Sequence, residues 1–257
     1  MGGVDGAFDE AISSIESALK KMRKARGDII DHVNWALKFL PDGIADQVRR
    51  ATQKLDGEVS KSENSILDLL LERGSPAALR EAASEWNSKV AAVAGRQAVD
   101  LAFGSMPSNG NWKGDAQLAY RSVIDQQNKA LTDLKPVFDE LNSTLNDIAD
   151  ALKDFWIQFA SAVTLLCVAI MICALETIGV ITIEAAITTG LAAVGLFVSS
   201  VLVIDSLFES ALDSNKARLE KLITTNGVEG IWPAPAADFS DASVLDGDNK
   251  SDWEPIF

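Results

Sequence analysis

Apolar side chains recur at intervals of three and four along most of the chain, the spacing of amphipathic helices. Residues 5–40 read as one helix, with Phe8, Ile12, Ile15, Leu19, Met22, Ile29, Val33, Leu37 and Leu40 on one side and a turn missed around Lys24–Arg26. Pro41-Asp42-Gly43 breaks it. A second helix carries Ile44, Val48, Ala51, Leu55, Val59, Ile66 and Leu69 in near-heptad register, a stripe suited to another long helix. After Gly74, Ser75 and Pro76 supply a natural N-cap and first helical residue for a third helix, to about Phe103, with Leu79, Ala83, Trp86, Val90, Val93 and Leu101 along one side. A loop over 104–110 follows, and Asn111 can cap a fourth helix. Its seam is Leu131, Leu134, Phe138, Leu141, Leu145, Ile148, Leu152 and Phe155, with a modest kink expected at Pro136.

The fourth helix then changes character without a break. No charged residue occurs from Phe155 to Leu175, nor from Ala185 to Ile204, and only the stretch around Glu176, Gly179 and Glu184 separates the two runs. Each run is about 20 residues, or about 30 Å as a helix, the thickness of a hydrocarbon core. The pattern predicts an antiparallel hairpin able to enter a bilayer, with Gly190, Ala193, Gly195 and Ser199 allowing close approach of helices there. The competing reading is the buried core of a soluble bundle, which can also serve as a stored form before insertion. Glu176 and Glu184 would emerge at the far side or line a lumen, where protonation would ease their passage; the plain alternative is two carboxylates solvated in a turn. Lys153 precedes the hairpin and Lys216, Arg218 and Lys221 follow it, which favours retaining both flanks on the side of origin. A polar helix continues to about Ile223, and a Gly-, Pro-, Asp- and Ser-rich segment from Asn226 reads as a disordered acidic tail.

Composition sharpens this picture. Apolar residues make up 47% of the 257, and most of the excess lies in the hairpin block. The single Tyr and 7% aromatics argue against a large sheet. A formal net charge of −14 opposes nucleic-acid binding and charge-driven docking on anionic lipid. Cys167 and Cys173 both lie in the apolar block, six positions apart and pointing in different directions, so they do not bridge each other and act as small apolar groups. His32, the only histidine, has neither Cys nor His neighbours for a zinc site and no nucleophile to serve. No strand precedes the early glycines to make a phosphate loop. No enzymatic activity, cofactor or metal is expected. Met1 to Gly6 lacks the basic start and apolar core of a cleaved leader, and Gly6 stands where a myristoylation signal has Ser or Thr. Trp232, Phe239, Trp253 and Phe257 punctuate the acidic tail, which reads as a solvating segment or a short docking motif.

The run Ser75-Pro76-Ala77-Ala78-Leu79-Arg80-Glu81-Ala82-Ala83-Ser84-Glu85-Trp86, followed by Asn111-Trp112-Lys113-Gly114-Asp115-Ala116-Gln117-Leu118-Ala119-Tyr120, resembles the Trp-x-Gly hairpin proteins. These are the early-secreted-antigen-like substrates of type VII secretion in actinobacteria and related bacteria. The resemblance covers about residues 75–153. It implies a helical hairpin with Trp86, Trp112 and Gly114 at its hinge, a partner hairpin protein, and export without a cleaved leader. The family's acidic residue four positions after a Tyr is missing here: Tyr120 has Ile124 at that spacing and Asp125 one further.

Together these readings predict an all-α, elongated bundle of long antiparallel helices. Its segments would be an N-terminal helical pair (1–74), a Trp-x-Gly-type hairpin (75–153), the apolar hairpin with its return helix (154–224) and the acidic tail (225–257). The expected function is membrane insertion, as a homo-oligomeric pore or pore component exported by a type VII-like system. The alternatives are an accessory or scaffold protein in the producing cell's membrane, and a soluble interaction module.

Overall fold

A computed structural model describes residues 6–106, 112–179, 182–225 and 254–255. The fold is all-α. Among the described residues six α-helices follow one another: α1 (Gly6–Ala36), α2 (Asp42–Leu71), α3 (Pro76–Trp86), α4 (Ala92–Asp100), α5 (Asp115–Glu176) and α6 (Ile183–Thr225). A single π-helical turn, Asn87–Ala91, joins α3 to α4. Among the described residues the only ladder is a two-residue antiparallel pairing of Trp112–Lys113 with Glu254–Pro255. The expected tail falls otherwise outside the described residues.

The chain divides into two compact units, residues 1–77 with 148–212 and residues 78–147 with 213–257. This partition differs from four consecutive segments. The N-terminal pair and the apolar hairpin share one core, and the end of α6 belongs to the same unit as α3, α4 and the first part of α5. The reason is the length of α5 and α6: at 62 and 43 residues they are long enough for each to serve both units.

The first unit is a four-helix bundle of α1, α2 and the apolar ends of α5 and α6. Phe8, Ile12, Ile15, Leu19, Met22, Ile29 and Val33 of α1 are buried as their spacing predicts, as are Val48, Leu55, Val59 and Ile66 of α2. Ile44, in the first turn of α2, departs from the stripe: it is exposed and Ala45 is buried beside it, while the rest of the stripe keeps its phase. α1 runs in the same direction as α5, since Phe8 meets Trp156 edge to face at 6.4 Å while His32 meets Ala174 eighteen residues further along α5. At the end near Phe8 a cluster of Phe155, Trp156, Phe159, Phe197 and Phe208 fills the core, and the fully buried Trp156 donates from Nε1 to the Arg73 carbonyl at 2.9 Å. That bond satisfies the only polar atom of the largest core side chain.

In the second unit α3 and α4 run antiparallel to the first part of α5. Trp86 meets Phe138 at 6.0 Å, Asn128 donates to the Ala98 carbonyl, and the Arg121 guanidinium lies 5.3 Å from the centre of the Phe103 ring. The π turn advances the helix by part of a residue, so Ala91 rather than Val90 is buried after it. Arg218 of α6 ties back to α5 through Glu140 at 2.6 Å and Asp147 at 2.8 Å.

Candidate membrane-insertion hairpin

The two uncharged runs lie in α5 and α6, both long and apolar enough to cross a membrane. They are antiparallel: Phe155 packs beside Phe208, Phe159 beside Phe197, and Cys173 beside Gly190. One face of the hairpin is core. Val163, Leu166, Ile170 and Cys173 of α5, with Ile183, Ala186, Ile187, Val194 and Phe197 of α6, are buried. Cys167 and Cys173 are both free thiols within that face.

The opposite face is also apolar, yet nothing in the unit covers it. Leu165 is 70% exposed, Leu175 67%, Leu196 70% and Leu202 66%, with Ile157, Val168, Met171, Ile172, Val198 and Val203 exposed beside them. Only 28% of the most apolar window of α6 is buried. Five hydroxyls on this face turn inward on their own helix, and the Gln158 amide and Thr164 are exposed beside them. Ser161 donates to the Ile157 carbonyl, Thr188 to Glu184, Thr189 to Ala185, Ser199 to Gly195 and Ser200 to Leu196, each at 2.9–3.1 Å. Those hydroxyls therefore need no water to be satisfied, a condition for residence in hydrocarbon.

The tip is closed by its own threonines. Thr182 donates to the carbonyls of Glu176 and Gly179, two of the groups left over at the end of α5, and the buried Thr177 donates to the Ala174 carbonyl at 2.7 Å. A Cβ at Gly179 would lie 2.9 Å from Thr182 Oγ1, so a larger residue there would push that hydroxyl from its bonds. Glu176 and Glu184 are exposed. Glu184 stands in the first turn of α6, where the positive end of the helix dipole favours a carboxylate; Glu176 ends α5, where the dipole opposes one. His32 of α1 reaches the tip, with Nδ1 at 3.1 Å from the Ala174 carbonyl and 3.2 Å from Thr177 Oγ1.

The two glycines expected at a close helix approach behave differently. A Cβ on Gly190 would meet the methyls of Leu55 at 3.1 and 3.2 Å and Cys173 Sγ at 3.3 Å, so α6 comes close to both α2 and α5 at that point. Gly195 faces open space. Five residues turn a helix by about 140° beyond one full revolution, so both cannot face the same neighbour.

Of the hinge residues, Trp86 ends α3 against Phe138, and Gly114 opens α5 with a φ of 103°, a conformation that favours glycine. The side chain of Trp112 lies outside the described residues. The structure brings Trp86 to the α3–α5 contact. The residues that sequence reasoning passed over are Trp156, the polar tie of the core, and His32, the contact of α1 with the tip. Neither repeats in a pattern, and only the packing order of the helices reveals them.

No protein-family model, curated protein or solved structure matches the chain.

Proposed function

We propose that this protein inserts its α5–α6 hairpin into a lipid bilayer and acts there as a pore or pore component. One observation carries the reading: the hairpin presents large, uncharged apolar side chains outward from Ile157 to Val203 in a unit whose core is already complete without them. An exposed apolar surface of that extent is costly in water and marks a lipid or protein contact. Self-satisfied hydroxyls among those side chains favour lipid.

The covering helices cannot follow the hairpin into hydrocarbon. The outer side of α1 carries Asp9, Glu10, Glu16, Lys20, Lys21 and Lys24, all exposed, and each such charge costs several kcal/mol or more at a bilayer centre. α1 and α2 are clamped to each other: Arg26 binds Asp56, and the buried Glu63 lies 3.5 Å from Arg26 and 3.7 Å from Arg23. Among the described residues their polar bonds with the hairpin are that of His32 and, just past α2, that of the Arg73 carbonyl with Trp156. Insertion thus proceeds by release of α1–α2 as one piece. The inner face of the hairpin, with Gly190 at its closest approach, then meets lipid or the hairpin of another copy. The exposed Glu176 and Glu184 lead the tip across, and protonation lowers the cost of their passage.

The antiparallel packing of α3 and α4 on the first part of α5, with Trp86 against Phe138 and Gly114 at the start of α5, supports a type VII-like export route in which a partner hairpin supplies the signal absent after Tyr120.

Detergent-free protein added to dye-loaded phosphatidylcholine vesicles is expected to release the dye. A His32→Cys/Thr177→Cys variant, made with Cys167→Ser and Cys173→Ala and bridged by a cleavable thiol cross-linker, is expected to release it at least about tenfold more slowly until the bridge is cut. Release by the bridged form at the unbridged rate rejects the opening step, and vesicles left intact by every form reject the pore.

A further inference from the structure

The turn between α1 and α2 carries two aromatic side chains that contribute nothing to the core. Trp35 is 52% exposed and Phe39 64% exposed, and their rings lie 4.8 Å apart. Ile44, at the start of α2, is 48% exposed beside them in sequence. Their place in the bundle is fixed by His32, one turn before Trp35, which is bonded to Ala174 and Thr177. The α1–α2 turn and the hairpin tip therefore sit at the same end of the first unit. The tip adds its own exposed apolar groups there, Leu175 and Ile178.

We infer that this end is the first membrane contact, with Trp35 and Phe39 anchoring it in the headgroup region of a bilayer. The inference rests on the proposed insertion of the hairpin and names the surface that precedes it. The Trp35 indole favours the membrane interface, where its apolar body and its N–H are both accommodated, and the Phe39 ring beside it adds apolar area. The charges at this end select the lipid. Asp31, Asp42, Asp46, Glu176 and Glu184 are exposed there against Lys38, Arg49 and Arg50, and Arg49 is already paired with Asp46 at 2.6 Å. An end with surplus negative charge is repelled by anionic headgroups, so the occupant is a neutral, zwitterionic lipid surface held by apolar contact. A contact of this kind is insensitive to salt, unlike one made by basic residues.

The test is flotation of the full-length protein with vesicles of phosphatidylcholine alone and of phosphatidylcholine with phosphatidylglycerol, at low and high salt. The wild-type chain is expected to float with the neutral vesicles at both salt levels. Trp35→Ser/Phe39→Ser should lower partitioning about tenfold, the loss of two partly buried rings, while its unfolding midpoint in solution stays unchanged. The exchange Trp35→Phe/Phe39→Trp should restore partitioning. Undiminished flotation of the serine variant overturns the anchor and leaves the insertion reading standing. Binding that requires phosphatidylglycerol and disappears at high salt also overturns it. A serine variant that converts a wild-type dimer to a monomer without vesicles shows the rings to be a contact between copies, and overturns it as well. A wild-type chain that floats with neither vesicle removes the anchor and the insertion reading together.

Discussion

Two helical pairs meet in the core of the first unit, and they differ in what they turn away from it. α1 and α2 are amphipathic: buried Ile15, Met22, Leu55 and Ile66 on one side, exposed Lys20, Lys21, Asp46 and Lys61 on the other. The α5–α6 hairpin is apolar on both sides, with Phe159, Ile170 and Ile187 inward and Leu165, Ile172 and Leu196 outward. A four-helix bundle in water needs only the first arrangement from each of its members. The inner face of the hairpin is explained by folding. The outer face is not, and a sequence that keeps both faces free of charge over two bilayer-length stretches meets a demand that the bundle does not make. On the proposed reading, the inner face holds the bundle together and the outer face is kept for lipid.

The sharpest way to break this division is at Trp156, which belongs wholly to folding. Its indole is 2% exposed, surrounded by Phe8, Phe155 and Phe159, and its Nε1 bond to Arg73 ties α5 to the end of α2. Trp156→Ala is expected to cost about 3–5 kcal/mol of stability, from a large cavity and an abandoned carbonyl. Thermal unfolding followed by circular dichroism measures it. A loss below about 1 kcal/mol would mean that the inner face is not a packed core in solution, and the contrast between the faces would fail.

The next comparison lies within α6. Gly190 touches Leu55 and Cys173, whereas Gly195 touches nothing. Gly190→Leu forces four carbons into a filled junction and is expected to destabilise the bundle by about 1–3 kcal/mol. Gly195→Leu should leave the stability in solution unchanged or slightly raised, because the site is open and the better helix propensity of Leu outweighs the few tenths typical of a surface change. Equal effects at the two positions, by denaturant titration, would contradict the rotation of α6 described above.

These tests also mark how far the chain could be read before its fold was known. The hairpin was legible to within a few residues, because an unbroken absence of charge from Phe155 to Leu175 and from Ala185 to Ile204 needs no knowledge of neighbours. The breaks at Pro41 and Gly74 were legible for the same local reason. Which face of the hairpin is covered was not, since on an all-apolar helix periodicity carries no direction. The union of residues 1–77 with 148–212 was hidden, because nothing local states which helix packs on which. Ile44 is exposed in the first turn of α2, where the stripe runs out, and the π turn at Asn87–Ala91 shifted the register beyond Trp86. Gly195 read like Gly190 by composition, and only the angle between them tells the two apart. Trp35 and Phe39 escaped notice because a search for inward-facing stripes passes over aromatics that point out.

The smallest expected effect on stability is the most informative about function. Leu165, Leu196 and Leu202 are 66–70% exposed, so Leu→Ser at each removes few contacts within the bundle. Each change is expected to move the unfolding free energy by about 0.5 kcal/mol or less. Together they place three hydroxyls where the proposal puts hydrocarbon, each exchange forfeiting about 1.5–3 kcal/mol of favourable burial on insertion. The triple variant should therefore remain as stable in solution as the parent, be more soluble, and release dye from phosphatidylcholine vesicles at least about a hundredfold more slowly. Release at the parental rate would show that this face never meets lipid. A fall in solution stability comparable to that of Trp156→Ala would show that the face is covered in water after all, by a second copy or another protein. In that case its apolar character would belong to assembly and not to insertion. Only the combination of intact folding with lost release assigns the outer face to the membrane, because it separates the two demands placed on one pair of helices.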